Sequence, residues 1–215
     1  MKINNNIGRR QASPSHFCHS WVCDSLLPQQ LTGFDSTIQS AIRGDLPAAL
    51  TAFFTKVTHV MDTKIIVIWV GLLLAVFAYK KWYSEALFLG SNLVLTGLLV
   101  LLLKNIYQRP RPSILHLVEE KGFSFPSGHS LASTLVLGSL IIIIGQHVKN
   151  KTARYCLQGL LVLGIVTIVV SRVYVGVHYP SDVLGSMILG LAVLQFEYPL
   201  YDRLRFQWRF TGKQK

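Results

Sequence analysis

Five long apolar runs leave this chain almost no choice of fold. They are Lys64–Tyr79, Ala86–Leu103, Leu131–Val148, Tyr155–Val175 and Val183–Pro199. Each reaches or approaches the ~20 residues that a helix needs to cross a ~30 Å hydrocarbon layer. Inside a bilayer every backbone N–H and C=O must find its partner within the chain, and a helix achieves this locally. The sequence therefore predicts an all-α integral membrane helical bundle with five strong transmembrane helices. Runs that fall short must lean on flanking aromatics and on Lys or Arg side chains reaching to the interface. The first run is expected to extend backwards past Lys64. Cys156, at the start of the fourth, reads as a small buried hydrophobe.

The charge pattern supports the same class. Only 14% of residues are charged, against roughly 25% in a soluble domain. The net charge of +11 raises nucleic acid as a partner. The basic residues lie between apolar runs rather than on one polar face, so no nucleic acid is expected. Lys80, Lys81, Lys149, Lys151, Arg154 and the basic residues after the fifth run fall on one side if the runs alternate. That side should be cytoplasmic. The loops from Lys104 to Ser127 and from Arg172 to Asp182 lie on the other side. They are basic too, which anion binding would explain.

Residues 1–33 are polar and hold no apolar core of signal-peptide length. They read as a poorly ordered segment with interfacial contact around Trp21 to Leu27. His16, Cys18, His19 and Cys23 match no common zinc spacing. Three irregularly spaced cysteines argue against a disulfide framework. From Phe34 to Asp62, residues Ile38, Ile42, Leu46, Leu50, Phe53, Phe54 and Val57 recur at helical spacing, broken near Gly44 and Pro47. Short amphipathic helices, on the membrane or against the bundle, fit this pattern. The expected division is a polar segment 1–33, a membrane domain 34–201 and a basic cytoplasmic tail 202–215.

Three short stretches interrupt the apolar pattern with ionisable groups, which at membrane boundaries are functional candidates by default. Lys104 ends an apolar run, and Pro110 and Pro112 keep the chain around Arg111 extended. Alone, this stretch reads first as a basic cluster touching lipid head groups. Pro126-Ser127-Gly128-His129 precedes the third run. Ser127 is a favoured N-cap, Gly128 permits close backbone approach, and a helix N-terminus attracts anions. Arg172, His178, Pro180 and Asp182 join the fourth run to the fifth. Pro180 suits a first helical turn, which brings Asp182 near His178. A carboxylate on one ring nitrogen fixes the tautomer and frees the other to attack. Together the stretches bring three cations, two histidines and one acid to one face. Such a site suits a dense anion, and a phosphoryl group fits best.

Lys104-x6-Arg111-Pro112, then Pro126-Ser127-Gly128-His129, then Ser171-Arg172-x5-His178-x3-Asp182 resemble the three-part signature of the type 2 phosphatidic acid phosphatase superfamily. The resemblance covers roughly Phe34 to Tyr201. It implies that His178 is the nucleophile and forms a phosphohistidine, with Asp182 orienting it. It implies that Lys104, Arg111 and Arg172 hold the phosphoryl oxygens, with Ser127 and the Gly128 backbone. His129 is then the general acid and later the base, and no metal or other cofactor is required. The family's membrane enzymes usually carry six membrane helices. Here the first would fall within residues 1–33, which hold no apolar run.

The resulting expectation is a lipid phosphate phosphatase of a bacterial plasma membrane, acting on the extracytoplasmic face. Undecaprenyl diphosphate, phosphatidylglycerol phosphate and phosphatidic acid are the substrates that the resemblance suggests. Surrounding membrane lipids are the other expected partner, and the sequence sets no oligomeric state. Glu119, Glu120, Lys121 and Tyr179 are the loop residues expected to tune head-group choice. Vanadate-dependent halide oxidation is the reading that five hydrophobic spans argue against. A non-enzymatic lipid-phosphate binding or transport protein is the alternative, and it leaves the His178–Asp182 pair without a purpose.

Overall fold

The computed structural model describes residues 30–214, all of whose regular elements are helical. The cysteine–histidine group at residues 16–23 and the expected interfacial contact at Trp21 to Leu27 lie outside the described residues. Helix α1 is Gln30–Arg43 and α2 is Ala48–His59. Helices α3 (Thr63–Tyr79), α4 (Tyr83–Tyr107), α5 (Gly128–His147), α6 (Lys151–Tyr174) and α7 (Pro180–Phe210) complete the order. The amphipathic pattern before residue 63 thus becomes two short helices, separated where Gly44 and Pro47 interrupt it.

Helices α4 to α7 are each long and apolar enough to cross a membrane, and α2 with α3 passes the same test as a pair bent by 56°. The backward extension of the first run is therefore a broken span rather than one straight helix. Asp62 stands at the break as the N-cap residue of α3. The fifth run continues as helix through Pro199 to Phe210. Leu72, Leu98, Leu160 and Ile188 are more than half exposed. A soluble surface with that much contiguous apolar area would associate, whereas a bilayer covers it. The protein is an integral membrane protein.

Cys156 is exposed on α6 instead of buried in the bundle. An apolar run reports removal from water and leaves open whether protein or hydrocarbon does the covering.

Helix α5 is the central element, with the largest buried share of any span. It meets α7 through small residues, as membrane helices do when backbones pack closely. A Cβ on Gly138 would sit 2.5 Å from Leu194, and one on Gly190 would sit 2.8 Å from Thr134. Ser133–Leu137 widens into a π-turn, a feature that re-aims the residues around it. Away from the site, buried Glu85 at the start of α4 meets His147 at the end of α5 at 2.9 Å. This pair ties the opposite end of the bundle.

Candidate active site

Each polar stretch lands at a helix end on one side of the bundle. Lys104 lies in the last turn of α4. Ser127 is the N-cap of α5, and its Oγ accepts the backbone N–H of Ser130. Pro180 opens α7, where its missing N–H costs nothing. Between α6 and α7 the chain makes a tight turn at Gly176, whose φ is +83°. A Cβ there would lie 2.1 Å from Arg43 Nη1 and 2.6 Å from the Leu115 carbonyl, so only glycine fits.

Lys104, Gly128, His129 and His178 line one cavity of about 560 Å³. The first-turn N–H groups of α5 at Gly128 and His129 have no acceptor within the helix, as at any helix start. The same cavity runs on between α3 and α4 past Ile66, Val67, Gly97 and Leu101. Val67 and Leu101 are themselves exposed on the lipid-facing surface. A polar end and an apolar end thus share one space.

The remaining predicted residues stand behind the cavity wall. Arg172 is 1% exposed and donates from Nη1 to Thr58 Oγ1 and from Nη2 to Glu120 Oε1, each at 2.5 Å. Its Nε is buried with no partner among the described residues. Arg111 has backbone partners. It donates to the backbone carbonyls of Gly122 at 3.0 Å, Lys121 at 3.1 Å and Val177 at 2.8 Å, stitching the long loop to the Gly176 turn. Glu120 lies 3.6 Å from it. Burial raises the Glu120 carboxyl, but Arg172 beside it outweighs that and holds it below the usual range. Its carboxylate thus sits on the two guanidiniums that an incoming anion would seek. Ser127 is fully buried and occupied by its cap, and its backbone N–H is given to Ser186 on α7 at 2.9 Å.

His178 is 2% exposed, and its Nδ1 lies 3.8 Å from Asp182 Oδ2. That is an ion-pair distance rather than a hydrogen bond. Ser124 Oγ lies 3.4 Å from the same nitrogen and also donates to Asp182 Oδ2. The carboxylate is held by other donors. Arg109 Nη1 bonds its Oδ1, and the Tyr179 N–H reaches Oδ2 at 3.1 Å. Arg109 also donates to Asp35 on α1 at 2.8 Å and to Ser181 at 2.8 Å, and stacks over Tyr179 at 4.1 Å. Asp35, Arg109 and Asp182 thus form a buried chain of alternating charge. It opposes the burial that would lower the Arg109 guanidinium and leaves it raised above its usual value, with Asp182 the main contributor.

Sequence reasoning left Asp35, Thr58, Asp62, Arg109 and Ser124 without roles. One signal was available for the acids: only ten Asp and Glu occur in the chain, so a lone acid beside an apolar helix has a reason to be there.

The sequence profile of the PAP2 superfamily matches residues 85–206, more than half of the chain. The chain belongs to the PAP2 superfamily. Among curated relatives of this superfamily, phosphatidylglycerophosphatase B of Bacillus subtilis is 34% identical over 154 residues, 66% of this chain and 70% of that protein. Undecaprenyl-diphosphatase BcrC of the same organism is 30% identical over 147 residues, 65% of this chain and 71% of that protein. The crystal structure of the first transmembrane PAP2 type phosphatidylglycerolphosphate phosphatase from Bacillus subtilis superposes with a TM-score of 0.76. It covers 87% of this chain and 94% of that one at 23% identity, a likeness of fold. The chain is a PAP2 phosphatase of the membrane lipid phosphatase family, acting on phosphoric esters.

Within that PAP2 frame the protonation state of His178 is set by its surroundings. Burial pushes the imidazole down to about 4, and the nearby arginines add to this while Asp182 opposes it. Two results follow with opposite uses. The ring stays neutral well below the ordinary value of 6.5. The unfolded chain, however, takes up a proton between 6.5 and about 4 that the folded chain refuses, so stability falls as pH falls through that window. In kcat/KM profiles the limb belonging to His178 is expected near pH 4, with thermal midpoints already dropping below pH 6.5. A limb for this residue at pH 6.5 would show that the imidazole is not desolvated.

Proposed function

We propose that this chain hydrolyses a lipid phosphate or diphosphate through a phosphohistidine on His178, without a metal ion. The observation that carries the reading is the two-ended cavity. Its polar end joins His178, His129 and Lys104, and its apolar end meets the bilayer between α3 and α4. A head group can enter the first while its acyl or prenyl chain stays in the second. The names of the relatives point the same way, toward phosphatidylglycerol phosphate and undecaprenyl diphosphate, with phosphatidic acid as the third candidate.

In the proposed sequence the free nitrogen of His178 attacks phosphorus and the bond to the leaving oxygen breaks. His129 gives that oxygen its proton. Water then attacks the phosphohistidine, the P–N bond breaks, and His129 takes the water's proton as inorganic phosphate leaves. Lys104, Arg172 and the start of α5 supply positive charge for the phosphoryl oxygens, once the substrate has displaced Glu120 from Arg172. Arg111 holds the loop and turn that frame the pocket. The loops with Lys80, Lys81, Lys149 and Lys151 join helices at the end away from the site. Their charge supports a cytoplasmic placement for that end, and an extracytoplasmic site in a bacterial plasma membrane.

Purified protein is expected to release phosphate from at least one of these three lipids, at the same rate with and without EDTA. Loss of activity in EDTA that added metal restores would overturn the metal-free reading. No release from any of them would overturn the substrate class.

A further inference from the structure

We propose that Asp62, at the break between α2 and α3, is the positioning residue of His129. It holds that imidazole by Nε2 so that Nδ1 faces the cavity. This rests on the role given to His129 above and adds a partner supplied from outside the matched region 85–206.

The first observation is what Asp62 does not do. An aspartate at an N-cap ordinarily accepts a backbone N–H from the first turn of its helix, which stabilises the helix. Asp62 occupies the N-cap of α3 and makes no such bond. Both carboxylate oxygens go to histidines instead. Oδ1 lies 3.0 Å from His129 Nε2, and Oδ2 lies 2.7 Å from His59 Nδ1. A capping position has been given over to a tertiary contact spanning 67 residues of sequence.

The second observation is the state of the other nitrogen. Nδ1 of His129 has no hydrogen-bond partner among the described residues, and His129 lines the cavity beside His178 and Lys104. With Nε2–H donated to the carboxylate, Nδ1 is the nitrogen left to carry the exchangeable proton. The same logic lets a carboxylate fix the tautomer of any acid–base histidine. The charged groups facing His129 are Arg172, Asp62 and Glu120. Among the described residues, Asp62 is the acid in hydrogen-bond contact with the ring.

The third observation is exposure. The His129 side chain is 14% exposed, Asp62 40% and His59 53%. His59 thus clamps the carboxylate from the solvent side while Asp62 reaches inward, and the 56° bend between α2 and α3 brings it within reach.

The step at issue is proton donation to the leaving oxygen, so the test varies that oxygen. An alkoxide leaving group needs the proton, whereas p-nitrophenolate departs readily without it. kcat/KM reports the steps up to leaving-group departure, and is measured for phosphatidic acid and for p-nitrophenyl phosphate. Asp62→Asn is expected to lower kcat/KM by about 100-fold for phosphatidic acid and by less than about fivefold for the aryl ester, with Asp62→Glu recovering most of the loss. Asp62→Ser restores a cap to α3 and should match or exceed the wild type in thermal stability, yet show the same substrate-selective loss. Equal losses on both substrates, or no loss on either, overturn the inference while leaving the phosphatase reading intact. Absence of turnover by the wild type on every lipid phosphate overturns that reading and this inference with it.

Discussion

His178→Ala is expected to lower phosphate release by roughly four orders of magnitude or more, the size of effect seen when an enzyme loses its nucleophile. The side chain is almost wholly enclosed, so alanine also leaves a void. His178→Gln fills most of that space and separates the two effects. Both variants should lose turnover, and the glutamine variant should keep its thermal midpoint. Brief exposure of wild-type protein to a radiolabelled substrate should leave an acid-labile phosphoryl label on the chain, absent from both variants. Release by either variant within tenfold of wild type would mean that another group makes the bond to phosphorus.

Arg109→Met is the substitution expected to cost most in stability. The guanidinium is buried between Asp35 and Asp182, and it is the shared partner of both carboxylates. Removing it leaves two like charges enclosed with only hydroxyl and backbone donors. Breaking a buried ion pair from one side typically costs about 3–5 kcal/mol. The thermal midpoint in detergent should drop by many degrees, and activity should fall with it because Asp182 loses its anchor. The double variant Arg109→Met with Asp35→Asn removes one stranded charge and should recover part of the midpoint. An unchanged midpoint in the single variant would show that Asp182 is held by Ser124 and the Tyr179 amide alone.

These two residues illustrate what could be read from the chain. His178 stands in a twelve-residue stretch where each polar group is conspicuous against an apolar background, and its i,i+4 spacing to Asp182 already places the two together. Ser127 and Pro180 announce helix starts by residue type alone. The apolar runs determined membrane helices for the same reason: burial of the backbone admits little else. Arg109 was visible within a marked stretch, but its role was not, because its partner Asp35 comes from a helix whose amphipathic period fits either a membrane surface or a packed bundle. Asp62 was hidden by a break that hydropathy does not register. Ser124 meets both His178 and Asp182, and its small hydroxyl gives no sequence signal. Arg111 was legible as a cation near the site, whereas its use as a fastener for three carbonyls depends on how the loop folds back.

The groove that carries the cavity out to Val67 and Leu101 has a kinetic consequence. An enzyme loaded sideways from the hydrocarbon layer meets its substrate in two dimensions. What governs occupancy is then the fraction of lipid molecules bearing the phosphate, rather than their amount per litre. Diluting a suspension of vesicles tenfold should leave the rate per enzyme unchanged, while mixing neutral lipid into the same vesicles should slow it in proportion.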